Sequence, residues 1–345
     1  MKKILTTVIF MLFLVACNAS STQKTKEIDV RVGLTGLTME FLKNTPPQRI
    51  FEGDKFLVVI KVENTGATEI KDNQAVLSLG FEKDYTQKVE LLESGTVKLF
   101  PDLKTQNTAT FSLEGRSKIN QKGGEEIISY NLVAGRVDPQ SEFHSSMVIA
   151  TLCYPYETIL DTTFCMDTDP SNLRPGKKVC KLQDLSFSNG QGAPVTIPKI
   201  EVQMLPSQES QQSPAGYGKI VPQFLIFIEN KGQGIVIKND AVKEACTQKI
   251  SHDKLNTIYV RAFFPGKDPG TEKSGLELNC EPKEKGSTAK QGYVKLKDKK
   301  DIIRCTFKEG IDSRQDPYLS PLRIEMSYGY TQSISANYLI QKTAR

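Results

Sequence analysis

The chain has 345 residues, with 45 basic and 40 acidic side chains and a formal net charge of +5. Because the two signs are mixed along the chain, the composition excludes the strongly basic surface of a nucleic-acid-binding protein, and no nucleic-acid partner is expected. The length is sufficient for two domains, each with its own hydrophobic core.

The N-terminal residues 1–17 predict a lipoprotein signal peptide. Lys2 and Lys3 precede an apolar run from Ile4 to Val15, which is too short for a transmembrane helix and has the length of a secretory signal. Ala16 stands directly before Cys17, as in the bacterial lipobox, where the cysteine thiol receives a diacylglyceryl group. We expect cleavage before Cys17 and export, with the protein lipid-anchored to the cell membrane at the cell surface or the periplasmic face. The alternative is an ordinary secretory signal with an incidental cysteine.

Residues 18–27 are polar and lack hydrophobic periodicity, which predicts a flexible tether between the lipid and the folded part. Two or three acyl chains on Cys17 would hold far better than one, because each buried methylene contributes about 0.8 kcal/mol. The folded part is expected to begin near Ile28.

Two sequence patterns occur twice and in the same order. An alternating strand that ends in Glu-Asn-x-Gly occupies residues 56–66 and recurs at 222–232. A strand with a Tyr-x-Tyr motif, expected to be followed by another strand, occupies residues 148–158 and recurs at 322–332. Two matches in one order indicate a tandem duplication. A looser correspondence places residues 39–42 opposite 202–205.

Short runs rich in β-branched and aromatic residues predict the remaining strands of each copy. In chain order they are residues 74–81, 87–92, 108–113, 125–133, 257–264, 292–296, 302–307 and 333–340. One short helix is predicted over 240–246. The absence of long helical periodicity makes the fold class all-β, with two tandem immunoglobulin-like β-sandwiches at residues 28–167 and 181–345. A connector over 168–180 would allow them only a limited range of angles.

The run from Val58 to Ala67, Val-Val-Ile-Lys-Val-Glu-Asn-Thr-Gly-Ala, resembles the adhesion-related modules called CARDB, which are common in exported bacterial and archaeal proteins. The resemblance implies an extracellular, non-catalytic structural or adhesive role. The cysteine content and the length of each copy depart from the family pattern.

Six cysteines remain after Cys17, and an even number in an exported chain favours disulfides, although six cysteines allow 15 pairings. The expected pairs, in order of preference, are Cys165 with Cys180, Cys280 with Cys305, and Cys153 with Cys246. The first pair closes a turn-rich segment, the second flanks a polar loop, and the third is left by subtraction and would connect the two copies.

No pattern in the sequence is typical of an active site. His144 and His252 are the only histidines, and neither stands in the context of a Ser-His-Asp triad, so both are expected in surface loops. Asp167 and Asp169 could offer oxygen ligands to calcium, but an Asp-Pro turn accounts for this segment without a metal. We therefore expect no catalytic residue, no cofactor and no metal site, and the protein is predicted not to be an enzyme.

Tyr154, Tyr156, Tyr328 and Tyr330 form the two Tyr-x-Tyr motifs. Tyrosines two residues apart on a strand share a face, so each pair could form a stacking surface that binds a sugar or a peptide. The simpler interpretation is that they pack an edge of the sandwich with their hydroxyl groups in water. The absence of tryptophan weakens the sugar-binding alternative.

These features together predict a lipid-anchored cell-envelope protein with a structural, adhesive or protein-binding role, whose partner is another envelope or surface protein. An envelope hydrolase, or the carbohydrate-binding accessory subunit of one, is the alternative. Solute binding is less favoured, because it normally uses a two-lobed α/β cleft and the sequence predicts almost no helix. The oligomeric state is left open.

Overall fold

A computed structural model describes residues 29–100, 107–207, 218–266, 275–281 and 292–343. The predicted signal peptide, Cys17 and the tether lie outside these ranges. Within the ranges the chain forms twenty β-strands and a single short α-helix, which confirms the all-β fold class.

The first copy of the repeat contributes nine strands. They are β1 (Leu37–Phe41), β2 (Arg49–Phe51), β3 (Lys55–Asn64), β4 (Ile70–Phe81), β5 (Thr86–Leu92), β6 (Lys98–Leu99), β7 (Thr108–Leu113), β8 (Glu125–Ala134) and β9 (Phe143–Met166). Most of them coincide with strands predicted from the sequence. β9 is different, because it runs without interruption for 24 residues through the Tyr-x-Tyr motif.

The second copy contributes eleven strands and the helix. They are β10 (Leu185–Ser186), β11 (Val195–Pro206), β12 (Lys219–Asn230), β13 (Ile235–Ile237), α1 (Val242–Thr247), β14 (Thr257–Phe264), β15 (Leu276–Glu277), β16 (Asn279–Glu281), β17 (Gly292–Lys295), β18 (Lys300–Thr306), β19 (Ile311–Asp312) and β20 (Tyr318–Gln341). Short 3₁₀ turns cover Asn239–Ala241 and His252–Lys254. β20 matches β9 in its length of 24 residues.

The strands form three sheets, which are antiparallel except for β2. A ten-stranded central sheet has the order β15-β14-β20-β9-β4-β7-β6, with β2 and β13 also paired to β20 and β17 paired to β14. The first outer sheet has the order β1-β3-β8-β5, and the second has the order β10-β11-β12-β18-β16, with β19 paired to β12. Each outer sheet covers one half of the central sheet, so the molecule consists of two immunoglobulin-like sandwiches.

Both sandwiches have the same strand order, as expected for a duplication. In the first sandwich, β1-β3-β8-β5 packs against β7-β4-β9, and in the second, β11-β12-β18-β16 packs against β17-β14-β20. If the strands of each copy are lettered A to G, both sandwiches read A-B-F-D against E-C-G. Constant-type immunoglobulin domains instead read A-B-E-D against C-F-G. The duplicated unit therefore has an immunoglobulin-like architecture with its own strand order.

The two copies share the central sheet through their last strands. β9 and β20 pair antiparallel over their full lengths, from Phe143 opposite Gln341 to Met166 opposite Tyr318. β4 pairs with only residues 148–153 of β9, and β14 pairs with only residues 323–327 of β20. The rest of each long strand therefore extends beyond its own sandwich and across the other one.

Each extended strand places an aromatic side chain in the core of the opposite sandwich. Phe164 of β9 lies 4.9 Å from Phe224 of β12, measured between ring centroids. Tyr338 of β20 lies 5.2 Å from Phe56 of β3, and its hydroxyl is 3.2 Å from the Thr86 hydroxyl. Because each core contains residues of both copies, the sandwiches are interlocked, an arrangement that was not anticipated from the sequence.

Three disulfides are present among the described residues, and they join the pairs expected from the sequence. One links Cys153 of β9 to Cys246 of α1 and so connects the two copies. Another links Cys280 and Cys305, which lie opposite each other on β16 and β18. The third, Cys165 with Cys180, closes the segment over residues 168–180 that follows β9.

Candidate functional site

The four tyrosines of the Tyr-x-Tyr motifs lie together at the centre of the molecule, where the two copies meet. Tyr154 is opposite Tyr330 across the central strand pair, and Tyr156 is opposite Tyr328. The ring centroids of these two pairs are 5.7 Å and 6.5 Å apart. Each tyrosine exposes 3% of its surface or less. The proposed stacking surface on these residues is therefore wrong, as is the interpretation that their hydroxyl groups lie in water, because the two outer sheets and their turns cover this face.

The tyrosine hydroxyls instead bind the turns that end the repeated strands. Tyr156 donates to Asn64 Oδ1 at 3.3 Å, and Tyr330 makes the same bond to Asn230 at 3.3 Å. The side-chain amide of Asn64 donates in turn to the Thr68 carbonyl at 2.7 Å. The Glu-Asn-x-Gly motif thus binds the Tyr-x-Tyr motif in both copies, which explains why the two motifs recur together.

The glycine of each turn is required because a tyrosine hydroxyl occupies the space of its missing side chain. A Cβ atom on Gly66 would lie 1.9 Å from the Tyr156 hydroxyl, and one on Gly232 would lie 2.1 Å from the Tyr330 hydroxyl. Real Cβ contacts are never this short, so a larger residue would displace the tyrosine or the turn.

Burial also determines the protonation of the cluster. Removal from water raises the pKa of Tyr154, Tyr156 and Tyr328 well above the usual value for tyrosine, and raises the pKa of Tyr330 to about 12. Burial therefore makes all four phenols harder to deprotonate than an exposed tyrosine. Their hydroxyl groups form hydrogen bonds with the turns and strand ends around them.

A groove opens at the surface beside this cluster, between the start of β1 and the middle of β20. Its volume is about 680 Å³. Leu34, Met39, Lys231, Ile235 and Ile334 are among the residues that line it, and Tyr154 and Tyr330 lie at its base. Gln332 of β20 crosses one end and donates to the Leu37 carbonyl of β1 at 2.8 Å. The groove is therefore formed by both copies, with β1 of the first copy on one side and β20 and the turn between β12 and β13 of the second copy on the other.

The groove continues along an incompletely covered side of the first sandwich, which we call the open seam. It consists of Met39 and Phe41 on β1 and Ile334 and Ala336 on β20, four apolar residues that pack on the core and are only partly buried. Among the described residues, β1 pairs with β3 alone, and residues 332–338 of β20 pair with β9 alone. Two unpaired strand edges therefore border an apolar surface.

The two acidic residues considered as calcium ligands are held by the protein itself. Both carboxylate oxygens of Asp167 accept from the Lys178 ammonium group, at 2.7 and 2.9 Å. The Asp169 carboxylate accepts backbone N–H groups of Arg174 and Leu173 at 3.0 and 2.9 Å, bonds that lower the pKa of Asp169. These groups stabilise the segment closed by the Cys165–Cys180 disulfide, so its geometry is explained without a cation.

The two histidines lie in different sandwiches. His144 stacks on Tyr85 and its Nε2 lies 2.9 Å from Glu82 Oε2, and His252 begins a 3₁₀ turn on the surface of the second sandwich. In the described ranges, no three His, Cys, Asp or Glu side chains are grouped closely enough to hold a metal ion. The helices of the same ranges are too short or too polar to traverse a bilayer.

The outer face of the central sheet differs in chemistry between the two halves. Phe143, Met147 and Ile149 of β9 are all exposed on the half that belongs to the first sandwich. On the other half, Arg323 of β20 bridges Asp161 and Glu325 in an ion-pair network. The half that belongs to the first sandwich therefore exposes apolar residues among uncharged polar ones such as Ser145 and Ser333, whereas the other half is charged.

Comparison with known proteins identifies no family for this chain. No protein-family model and no curated protein matches it, so the resemblance to CARDB modules remains a prediction. Among solved structures, the pilus backbone of Streptococcus pneumoniae is 9% identical, with a TM-score of 0.23 over 85% of this chain and 49% of that one. This chain thus spans about half the length of the pilus protein.

Two further neighbours are surface proteins. The partial N-terminal region of the enterococcal surface protein is 9% identical, with a TM-score of 0.19 over 89% of this chain and 86% of that one. The collagen adhesin of S. aureus is 13% identical, with a TM-score of 0.11 over 91% of this chain and 93% of that one. These TM-scores are too low to carry an argument, so the function is inferred from the geometry of the chain itself.

Proposed function

We propose that this chain is an exported, lipid-anchored envelope protein that acts as a rigid, non-catalytic structural or adhesive scaffold for another surface protein. The observation that carries the proposal is the disulfide framework, in which all six cysteines after Cys17 are paired. Disulfides form and persist in oxidising compartments and are rare in the cytosol. The pairing therefore supports the export that the N-terminal signal predicts, and it leaves Cys17 as the cysteine available for lipid.

The interlocked sheet supports a structural role. A connector between two independent sandwiches would act as a hinge, whereas here 24 consecutive residue pairs join β9 to β20. A load applied to one sandwich is carried directly into the other by this strand pair. The expected flexibility then lies in the tether over residues 18–27, between the lipid and the folded body.

The tyrosine cluster supports a non-catalytic role as well. Its four tyrosines are buried away from solvent, and the hydroxyl groups of Tyr156 and Tyr330 are bound to structural turns. No observation in the described part of the chain favours the alternative of an envelope hydrolase or its carbohydrate-binding subunit.

The anchor is tested by Cys17→Ser in the full-length protein, followed by separation of membrane and soluble fractions. We expect the variant to leave the membrane fraction and to lose incorporation of a labelled fatty acid. Asn18→Ser, which changes the neighbouring residue and keeps the lipobox, is the matched control and should stay in the membrane. Retention of the Cys17→Ser variant in the membrane would refute lipid anchoring.

The compartment is tested separately by peptide mapping of the exported protein under non-reducing conditions. We expect the three disulfide-linked peptide pairs found in the structure. Recovery of these six cysteines as free thiols would contradict an oxidising location, whatever the result of the anchoring experiment.

A further inference from the structure

The second sandwich shows what covers the side that is open in the first. There, β10 pairs antiparallel with the edge of β11, with Leu185 opposite Ile200. Leu182, Leu185 and Phe187, from the segment around β10, pack against the core. An extended segment with apolar residues thus closes the second sandwich at the edge strand that corresponds to β1.

The two edges can be matched residue by residue through the repeat. Phe41 of β1 lies opposite Ile60, and Ile200 of β11 lies opposite Ile226, which is the repeat counterpart of Ile60. Ile200 is completely buried, whereas Phe41 is partly exposed. Only the first sandwich therefore leaves this position accessible.

The opposite wall shows the same difference. Leu160 of β9 and Ile334 of β20 are repeat counterparts, separated by the same 174 positions as the two Tyr-x-Tyr motifs. Leu160 is 7% exposed and counts among the buried core, whereas Ile334 is only partly buried. Each wall of the open seam therefore contains an apolar residue, Phe41 or Ile334, whose counterpart in the same molecule is buried.

The backbone of β1 presents unpaired hydrogen-bonding groups to the open seam. Leu42 donates to the Val59 carbonyl of β3, so even-numbered residues of β1 direct their backbone groups toward β3 and odd-numbered residues direct theirs away. Of the odd-numbered residues, Leu37 bonds to the Tyr154 hydroxyl and to Gln332. Met39 and Phe41 have no backbone partner among the described residues. Their N–H and C=O groups can therefore pair with an added strand.

The dimensions fit a short peptide. Residues 332–338 of β20 span about 20 Å at the rise of a β-strand. At one end is the 680 Å³ groove, and at the other is the loop from Leu42 to Gln48, where Pro46 is buried and the Gln48 carbonyl accepts from Leu339. The open seam accommodates an extended segment of about six residues.

The described residues and the predicted tether offer no evident occupant. Arg31 pairs at 3.5 Å with Asp161, on the part of β9 that extends across the second sandwich, so the start of the described chain leads away from the open seam. Ile28 is the only large apolar residue between Asn18 and Asp29. These observations favour another molecule as the source of a segment that fills the seam with alternating apolar side chains.

We propose that the open seam of the first sandwich binds an extended segment of a partner protein, with large apolar residues at alternating positions. The segment pairs antiparallel with β1, as β10 does with β11, and inserts its apolar side chains between β1 and β20. Strand addition of this kind derives affinity from main-chain hydrogen bonds and specificity from the pockets for alternate side chains. The inference deepens the proposed scaffold function by naming the partner class, and so rests on it.

The test uses a synthetic peptide with the sequence of residues 181–188, Lys-Leu-Gln-Asp-Leu-Ser-Phe-Ser, because this segment covers the equivalent edge in the second sandwich. The labelled peptide is titrated into the purified folded protein up to about 1 mM, the weak end of specific binding. We expect saturable binding and slower amide exchange at Met39 and Phe41. A peptide with serine in place of its three large apolar residues should not bind.

Variants of the protein locate the binding. Ile334→Lys and Ala336→Lys place a charge in the open seam and should weaken binding at least tenfold. Ile127→Lys is the matched control, because Ile127 is 49% exposed on β8 of the same sandwich, away from the seam. All variants are required to melt within a few degrees of the wild type.

Absence of binding, or binding that both seam variants retain, would overturn the inference. Exchange protection on the second sandwich alone would show that the peptide displaces β10 and would overturn it too. Self-association that Ile334→Lys abolishes, without peptide binding, would show a second copy as the occupant and would refute a partner segment. The assay uses the purified folded protein, so its result is independent of the membrane anchor. Peptide binding can be absent while lipid anchoring is confirmed, and peptide binding can be found while lipid anchoring is refuted.

Discussion

Replacement of Phe164 by alanine tests whether the first copy stabilises the second sandwich. Phe164 is 2% exposed and packs against Phe224 and Phe264, with ring centroids 4.9 and 5.6 Å away. Truncating a buried phenylalanine costs about 3–5 kcal/mol, to which loss of the aromatic pairing contributes about 1 kcal/mol. We expect the free energy of unfolding, measured by urea denaturation, to fall by about 4 kcal/mol.

The location of the effect distinguishes the interlocked fold from two independent sandwiches. Hydrogen exchange should accelerate in β12 and β14 of the second sandwich, although Phe164 belongs to the first copy. Phe143→Ala, at the other end of the same strand and 58% exposed, is the matched control and should change stability by less than about 0.5 kcal/mol. Exchange that accelerates only in the first sandwich, or a loss below about 1 kcal/mol for Phe164→Ala, would refute the reasoning.

Three further predictions concern the centre of the molecule and its disulfides. Gly66→Ala should lower the free energy of unfolding by at least about 2 kcal/mol, because the new Cβ atom would overlap the Tyr156 hydroxyl. Gly80→Ala is the control and should have a much smaller effect, because the nearest atom to its new Cβ would be 3.6 Å away. Equal effects of the two substitutions in urea denaturation would contradict the packing. The pKa of Tyr330 is about 12 in the folded protein and near 10 in the unfolded chain, so the unfolded chain loses this proton first as the pH rises. The stability that Tyr330 contributes is therefore complete below pH 10 and declines as the pH rises toward 12. Urea denaturation between pH 8 and 12 should show this decline, and constant stability up to pH 12 would contradict it. Replacing Cys153 and Cys246 by serine should lower stability by about 4–5 kcal/mol, the loop-closure value for 93 residues, and a loss below about 1 kcal/mol would show that the bond adds little.

Local patterns predicted the strands and the duplication well, because they depend on neighbouring residues. β7 and β14 have the bounds that β-branched and aromatic enrichment indicated, and the predicted helix over 240–246 coincides with a 3₁₀ turn and α1. The disulfide pairs also match the expectation, two from their position around loops and the third by subtraction.

The interlocking of the copies was not predicted, because nothing local distinguishes one strand of 24 residues from two shorter ones. Strands are usually 3–10 residues long, and Pro155 interrupts the pattern of β9 at its centre. In the structure Pro155 lies opposite Gly329, and its ring nitrogen is at the side of β9 away from β20. No bond of the β9–β20 ladder is lost, so the strand continues through the proline.

The environment of the tyrosines could not be predicted for a related reason. A period of two shows which residues share a face of a strand, but the burial of that face depends on the other sheet. Here the turns that precede β1 and β11 cover the face of Tyr154 and Tyr328. The N–H group of Leu37, which begins β1, donates to the Tyr154 hydroxyl, and that of Val195, which begins β11, donates to the Tyr328 hydroxyl.

The looser correspondence between residues 39–42 and 202–205 was wrong by four positions. It placed Phe41 opposite Met204 in the repeat, whereas the strand pairing makes Ile200 the counterpart of Phe41. A β-bulge between Thr196 and Lys199 shifts the register of β11 relative to β12. The correct match is what reveals the open seam, since it compares equivalent positions on the two edges.

The central claim is that the two copies form one interlocked body, and scanning calorimetry tests it most directly. At about 0.7 kcal/mol per residue, cooperative unfolding of the 281 described residues gives a van't Hoff enthalpy near 200 kcal/mol. We predict one transition in which the van't Hoff enthalpy equals the calorimetric enthalpy. Two transitions, or a van't Hoff enthalpy of about half the calorimetric value, near 100 kcal/mol, would show that the sandwiches unfold independently and would contradict the account.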